Sequence, residues 1–393
     1  MSNNKYAAET KVTQLGRDPM ANFGVVNPPV YHASTILFKD TAEMEQRAAT
    51  KFDKGTMNYG RQGTPTVFAL ENAIAELEGG YGAFSVSSGL AAITTAILSV
   101  VESGDHILVT DSVYAPTRFF CKDVLKRMGV ETTYYDPLIG KDIEQLIRPN
   151  TRLVFTESPG SHTFEMQDIP AITKAAHNKG VLVIMDNTWA TPLLCKSFEL
   201  GVDISVHAGT KYIVGHSDAM LGLIITTEEL YQKIKETTFH LGQCSGPDDV
   251  YLAQRGLRTM AVRLKQHHES GLTVANWLSK RPEVSSVLHP ALESDPGHKI
   301  WKRDMTGASG LFGFILNPTS KAAVNAMVDS LNLYGIGYSW GGYESLILPS
   351  DPSSIRTATK WSAAGPLIRL HIGLESPDDL IMDLEAGFEK LSS

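Results

Sequence analysis

The sequence predicts an α/β protein: a large domain with a mostly parallel, mixed sheet between helices, followed by a smaller α+β C-terminal domain. Three observations carry that expectation. Short apolar runs alternate with helical patterns between residues 83 and 207, the arrangement that lays helices on both faces of a parallel sheet. The chain has 393 residues, beyond the size at which one core keeps growing. After about Arg255 the alternation gives way to a long polar-rich helical region, Thr259 to Ser279, and then to short strands and helices.

Residues 1–63 mix Pro, Asn, Gly and Thr without sustained periodicity and are expected to form an N-terminal arm. At Thr64 the pattern sharpens. Thr64 can cap, Pro65 suits a first helical position, and Val67, Leu70, Ile74 and Leu77 share one face before Gly79-Gly80 stops the helix. Strands are expected at 83–86, 107–110, 132–135, 153–156, 181–185 and 204–207, with helices at 117–128 and 169–179, each ending at a glycine. The large domain is placed at 64–257 and the C-terminal domain at 258–393.

Composition excludes several classes. With 42% hydrophobic and 20% charged residues the chain can bury a core without staples, and a net charge of −8 argues against a nucleic-acid surface. The three cysteines, Cys121, Cys195 and Cys244, show no metal-ligand spacing and fit a reduced, cytoplasmic compartment. The first residues lack an apolar signal core. The longest apolar stretch, Leu90 to Val101, is broken by Thr94, Thr95 and Ser99 and is too short to cross a bilayer, so no membrane role is expected.

The chemistry centres on Lys211, in Asp203-Ile-Ser-Val-His-Ala-Gly-Thr-Lys-Tyr-Ile-Val-Gly-His-Ser-Asp218, where an apolar run with strand character ends at Thr210-Lys211. Upstream, Val181-Leu-Val-Ile-Met185 reads as a buried strand closed by Asp186. A carboxylate and a lysine at the carboxyl ends of neighbouring strands face one crevice. That pair suits pyridoxal 5'-phosphate (PLP): the lysine holds the aldehyde as a Schiff base, and the aspartate keeps the pyridine nitrogen protonated. Most lysines are solvated surface charges, and Asp186 could instead cap the following segment; the two residues are informative as a pair. Ser87-Ser88-Gly89-Leu90 lies between a strand and a helix, where free N–H groups and a small residue make an anion cradle or an ordinary turn. Tyr114 follows the strand ending at Thr110 and either stacks on a flat cofactor or is a half-buried loop residue. In Pro366-Leu-Ile-Arg-Leu-His-Ile372, alternation puts Arg369 with Leu367 and His371 on one face. A guanidinium there needs a carboxylate partner, from a substrate or from a structural ion pair.

These residues resemble the Cys/Met-metabolism family of PLP enzymes. Thr210-Lys211-Tyr212-Ile213 and Gly215-His216-Ser217 stand in register with its signature, and the resemblance runs over nearly the whole chain. It implies the type I PLP-dependent transferase fold, with Lys211 binding the cofactor and acting as the base, Asp186 at the ring nitrogen and Tyr114 on the ring. It further implies phosphate contacts from Ser88, Gly89, Leu90 and Thr210, with Tyr59 and Arg61 supplied by a neighbouring subunit. The assembly implied is a homotetramer built from dimers that share their active sites. Arg369 would take the α-carboxylate of a small amino-acid substrate beside Tyr338, Ser339 and Trp340. Tyr338-Ser-Trp-Gly-Gly-Tyr-Glu-Ser345 and Glu157-Ser-Pro-Gly-Ser161 look like the members that eliminate at the β-carbon of cystathionine, with side activity on cysteine and related thioethers. Relatives acting at the γ-carbon, or a non-catalytic PLP-binding regulator, are the alternatives. One departure stands out: Ala208 occupies a position where many relatives carry a serine that could reach the phosphate.

Overall fold

The computed structural model describes residues 6–392. Before the large sheet come two helices, α1 (Ala8–Gln14) and α2 (Thr41–Ala49), in an otherwise irregular arm. The third helix, α3 (Pro65–Glu78), buries Leu70, Ile74 and Leu77 against α1 and the sheet, as its apolar spacing requires.

Seven strands form the large sheet: β1 (Gly82–Val86), β2 (His106–Thr110), β3 (Glu131–Tyr135), β4 (Thr151–Glu157), β5 (Leu182–Asp186), β6 (Ile204–Ala208) and β7 (Gly222–Thr226). Their order is β1-β7-β6-β5-β4-β2-β3. β7 is antiparallel to both neighbours, and the other adjacent pairs are parallel. Every strand but β7 therefore points the same way, and β1, β2, β4, β5 and β6 deliver their carboxyl ends to one edge. One face carries α4 (Gly89–Val100), whose Ile93 and Ile97 pack with Val86, Val109 and Phe155. The other buries Leu108, Val154, Val183 and Met185 beneath Ile172 and Trp189. Each such side chain contributes about 1.5–3 kcal/mol by leaving water, which fixes the strand ends where the chemistry will sit.

A second sheet follows, of β8 (Val284–Leu288), β9 (Leu311–Leu316), β10 (Gly335–Ile336), β11 (Leu346–Ser350) and β12 (Leu367–His371), in the order β10-β11-β12-β9-β8. Ile368, Leu370 and Ile372 enter its core with Phe312 and Phe314. The opposite face of β12, with Arg369 and His371, is also buried and meets the large-sheet part of the chain. The helix Pro247–Leu278, 32 residues long, packs on both α3 and β9, and position 257 lies inside it.

Three elements differ from the sequence expectation. The strand before Lys211 ends at Ala208, so the lysine lies in the turn beyond it. The helix expected over 117–128 is α5 (Ala115–Phe119) continued by a wide π-type stretch to Leu125 and a tight 3-10 turn to Met128. β7 was not anticipated at all; its insertion between β1 and β6 makes the sheet mixed.

Candidate active site

Lys211 follows β6 and points into a crevice closed from the opposite side by the second sheet. Its Nζ donates to Ser339 Oγ at 2.5 Å and lies 5.5 Å from the Trp340 ring centre. The fit is tight: a Cβ on Gly341, whose φ is +90°, would come within 3.0 Å of the Lys211 Cα. Burial pushes the Lys211 ammonium down to about 8, and the Arg369 guanidinium adds to that while Asp186 opposes it. A substantial neutral fraction near physiological pH is what an amine that attacks carbonyls needs.

Asp186 ends β5, 7% exposed. Thr188 donates to its Oδ1 twice, from the backbone N at 3.0 Å and from Oγ1 at 2.5 Å. Burial nevertheless raises the Asp186 pKa, against those bonds and the nearby positive charges. Both fixed bonds fall on Oδ1. Thr188 Oγ1 also accepts from Ala208 N at 2.9 Å, tying β5 to β6 beside the lysine.

Gly89 and Leu90 open α4 at the same edge, with Ser88 as N-cap accepting from Ala91 N at 3.1 Å. A Cβ on Gly89 would lie 2.4 Å from the Cβ of Ala208, so the close approach of helix start and strand end demands glycine. Thr210 Oγ1 donates to Leu221 O and accepts from Leu221 N, pinning the turn to the residue before β7. Tyr114 is the residue before α5, its ring half-exposed, and burial with the Asp186 and Glu157 carboxyls raises its pKa. Arg369, 9% exposed, donates to Ser339 O at 3.0 Å and lowers the Tyr114 pKa from across the crevice. Trp340 packs on Tyr212, while Tyr338 is 88% exposed at the rim.

Lys211, Asp186, Tyr114, Ser339, Trp340 and Arg369 are thus brought together, with Ser88, Gly89, Leu90 and Thr210 on the same edge. Tyr59 and Arg61 are not. Arg61 donates to Phe239 O at 2.8 Å, lies over the Phe239 ring and lines a separate cavity of about 380 Å³ with Phe52, Glu71 and Tyr231. Tyr59 is half-exposed.

Two residues were missed by sequence reasoning. Glu157 stands in register with Asp186 on the adjacent strand and accepts from Tyr114 N at 2.7 Å. Burial, with Asp186 beside it, raises its pKa well above the ordinary carboxylate range. The signal was available, since an acid closes β4 as Asp186 closes β5. Thr188 is the other, and a Thr two positions after an acid announces nothing by itself.

The residues present suit PLP. A buried carboxylate whose charge is offset only by the Thr188 bonds and the nearby positive charges suits a cationic ring nitrogen. The free amides at the start of α4 suit a phosphate, and the depressed lysine suits an aldehyde. Comparison with known proteins decides the matter: the family model for Cys/Met metabolism PLP-dependent enzymes matches residues 9–389. The chain belongs to that family. Among its relatives, the cystathionine beta-lyase of Salmonella typhimurium is 46% identical over 98% of this chain and 98% of its own. That of Haemophilus influenzae is 46% identical over 99% of each. The crystal structure of metB from Corynebacterium glutamicum superposes with a TM-score of 0.90 at 31% identity, covering 100% of both chains. The expected family, the type I PLP fold with a second, smaller sheet domain, and the PLP cofactor are all borne out. Among the described residues there is no cluster of side chains able to hold a metal and no helix long and apolar enough to cross a membrane.

Proposed function

We propose that this PLP-dependent carbon–sulfur lyase is a cystathionine β-lyase, converting L-cystathionine and water to L-homocysteine, pyruvate and ammonia. The observation that carries the reading is the meeting of a desolvated Lys211, a buried Asp186 and a buried Arg369 in one crevice. Two relatives 46% identical over essentially their full length bear that name.

PLP supplies an aldehyde for the substrate amine and a ring that takes up the electron pair released at Cα. Asp186 would hold the ring nitrogen protonated. Gly89, Leu90, Ser88 and the Thr210 turn would hold the phosphate, and Tyr114 would cover the ring. Arg369, oriented by its bond to Ser339 O, would grip the α-carboxylate with two of its remaining N–H groups and so point Cα–H at Lys211. Lys211 Nζ, neutral and leaning on Ser339 Oγ, takes that proton. The C–S bond at Cβ then breaks and the sulfur leaves as homocysteine, protonated by Lys211 or Tyr114. The three-carbon remainder hydrolyses to pyruvate and ammonia. Cysteine, with sulfur on the same carbon, is a side substrate of the same chemistry.

We infer further that the working form is a homotetramer of dimers in the cytoplasm, with Tyr59 and Arg61 completing a neighbour's phosphate site. The arm's exposed Met20, Phe23 and Leu37 give that contact its apolar surface. Purified protein should show a visible cofactor band and release pyruvate and homocysteine from cystathionine, and Lys211→Ala should lose both band and turnover. Release of 2-oxobutyrate in place of pyruvate, or turnover retained by Lys211→Ala, would overturn the reading.

A further inference from the structure

The segment between β11 and β12 belongs to the second sheet at both ends, yet its middle is fastened to the large one. Asp111, one residue beyond β2 and 1% exposed, gathers it. Its Oδ1 accepts from Thr357 N at 3.0 Å, and its Oδ2 from Ala358 N at 3.0 Å, Thr359 N at 2.8 Å and Thr359 Oγ1 at 2.9 Å. Three successive amides converging on one carboxylate form an anion nest occupied by a side chain of the same protein. Arg118, buried, donates to Asp111 Oδ1 at 2.5 Å and to Thr357 Oγ1 at 3.1 Å. A second tie, Arg356 Nη2 to Glu165 at 2.6 Å, holds the residue just before the nest.

The position of these ties is what matters. Asp111 lies three residues before Tyr114 and Arg118 four after it, so the span carrying Tyr114 is fastened to the strap at both ends. The strap runs directly into β12, whose third residue is Arg369. Neither Asp111 nor the strap is needed to close the apolar cores, which are built from other residues.

We propose that Asp111 is a positioning residue. By binding the 357–359 amides it sets the separation between the Tyr114 and Arg369 sides of the crevice, and so the grip on an amino-acid carboxylate that it never touches. The inference rests on the proposed role of Arg369. It requires a loss in substrate binding that leaves the chemical step intact.

The test compares holoenzymes of wild type, Asp111→Asn, Thr359→Val and the double variant, measuring KM and kcat for cystathionine and titrating the cofactor absorbance with the amino acid. Asp111→Asn turns an acceptor into a donor facing donors; KM should rise about tenfold, the worth of one hydrogen bond to a charged group, with kcat within about threefold. Thr359→Val removes only the Oγ1 bond to Asp111 and should raise KM by a smaller factor, and the double variant should be no worse than Asp111→Asn because both act through one tie. An unchanged KM in Asp111→Asn, equal losses in kcat and KM with loss of the cofactor band, or additive losses in the double variant would overturn the proposal. If Asp111→Asn does not fold, Thr359→Val decides alone, and an unchanged KM there refutes. Wild type that binds amino acids by absorbance yet yields no pyruvate would sink the β-lyase reading and leave this test readable.

Discussion

Asp186→Asn is expected to act in opposite directions on the apo and the cofactor-loaded protein. The fixed bonds to Asp186 both fall on Oδ1, from Thr188 N and Oγ1, and an asparagine carbonyl in that place accepts both. Geometry is preserved; only the charge goes. In the apo protein that charge is a liability, because burial raises the Asp186 pKa above its unfolded value. An acid whose folded pKa is raised favours the protonated, low-pH form. The native state is therefore least favoured above the folded pKa, where the carboxylate must ionise out of water. At pH 8 apo Asp186→Asn should melt higher than apo wild type, and the difference should shrink as the pH falls below the folded pKa and vanish below the unfolded one. With PLP bound as proposed, the same carboxylate would face a cationic ring nitrogen. Losing a charge-assisted hydrogen bond costs roughly 1.5–3 kcal/mol, about 10- to 150-fold in cofactor Kd, and turnover falls further because the ring is no longer kept protonated. Thermal melts with and without cofactor, an absorbance titration of the apo protein and a pyruvate-release assay measure the melting difference, the cofactor Kd and the turnover. An apo variant that melts lower at pH 8, or a cofactor Kd within twofold of wild type, would refute the argument.

Three other outcomes follow from the same geometry. Arg369→Lys replaces a planar fork with a single point of charge, so KM for cystathionine should rise by about tenfold or more with a smaller change in kcat; equal KM values would remove Arg369 from the carboxylate site. The rate at which apo protein takes up PLP should climb with pH through about 8, where Lys211 loses its proton, and level off above it; a flat profile from pH 7 to 9 in stopped-flow absorbance would contradict a depressed lysine. Gly89→Ala forces a Cβ to within 2.4 Å of Ala208, an overpacking worth about 1–3 kcal/mol, and should lower both the melting temperature and cofactor affinity.

The candidate site was legible in the sequence where a side chain's position follows from its place at a strand end. Lys211, Asp186 and Tyr114 each close or follow a run of buried residues, and parallel strands bring such ends to one edge whatever the details of packing. Arg369 was legible for a related reason, being a charge in an apolar alternating strand. Glu157 obeys the same rule and was quoted only as part of a motif. β7 escaped because its run, Gly222-Leu-Ile-Ile-Thr226, follows β6 closely and reverses direction, breaking the rhythm of strand and helix. The wide turn inside 117–128 leaves no mark on apolar spacing. Tyr59 and Arg61 lie away from the crevice in the single chain, Arg61 bonding to Phe239 O, so the neighbour's site proposed for them is one that neither periodicity nor the fold of one chain can supply.

The segment Ser339–Gly341, wrapped around Lys211, also bears on biosynthesis. That cover arrives 128 residues after the lysine in the chain. On the ribosome the lysine emerges long before it, still hydrated and protonated like any surface amine. Its depressed pKa depends on burial and on Arg369, and so is set only once synthesis has passed residue 369 and the two sheets have docked. A product truncated before residue 339 would lack Ser339, Trp340 and Arg369, and its Lys211 would keep the high pKa of an ordinary hydrated amine.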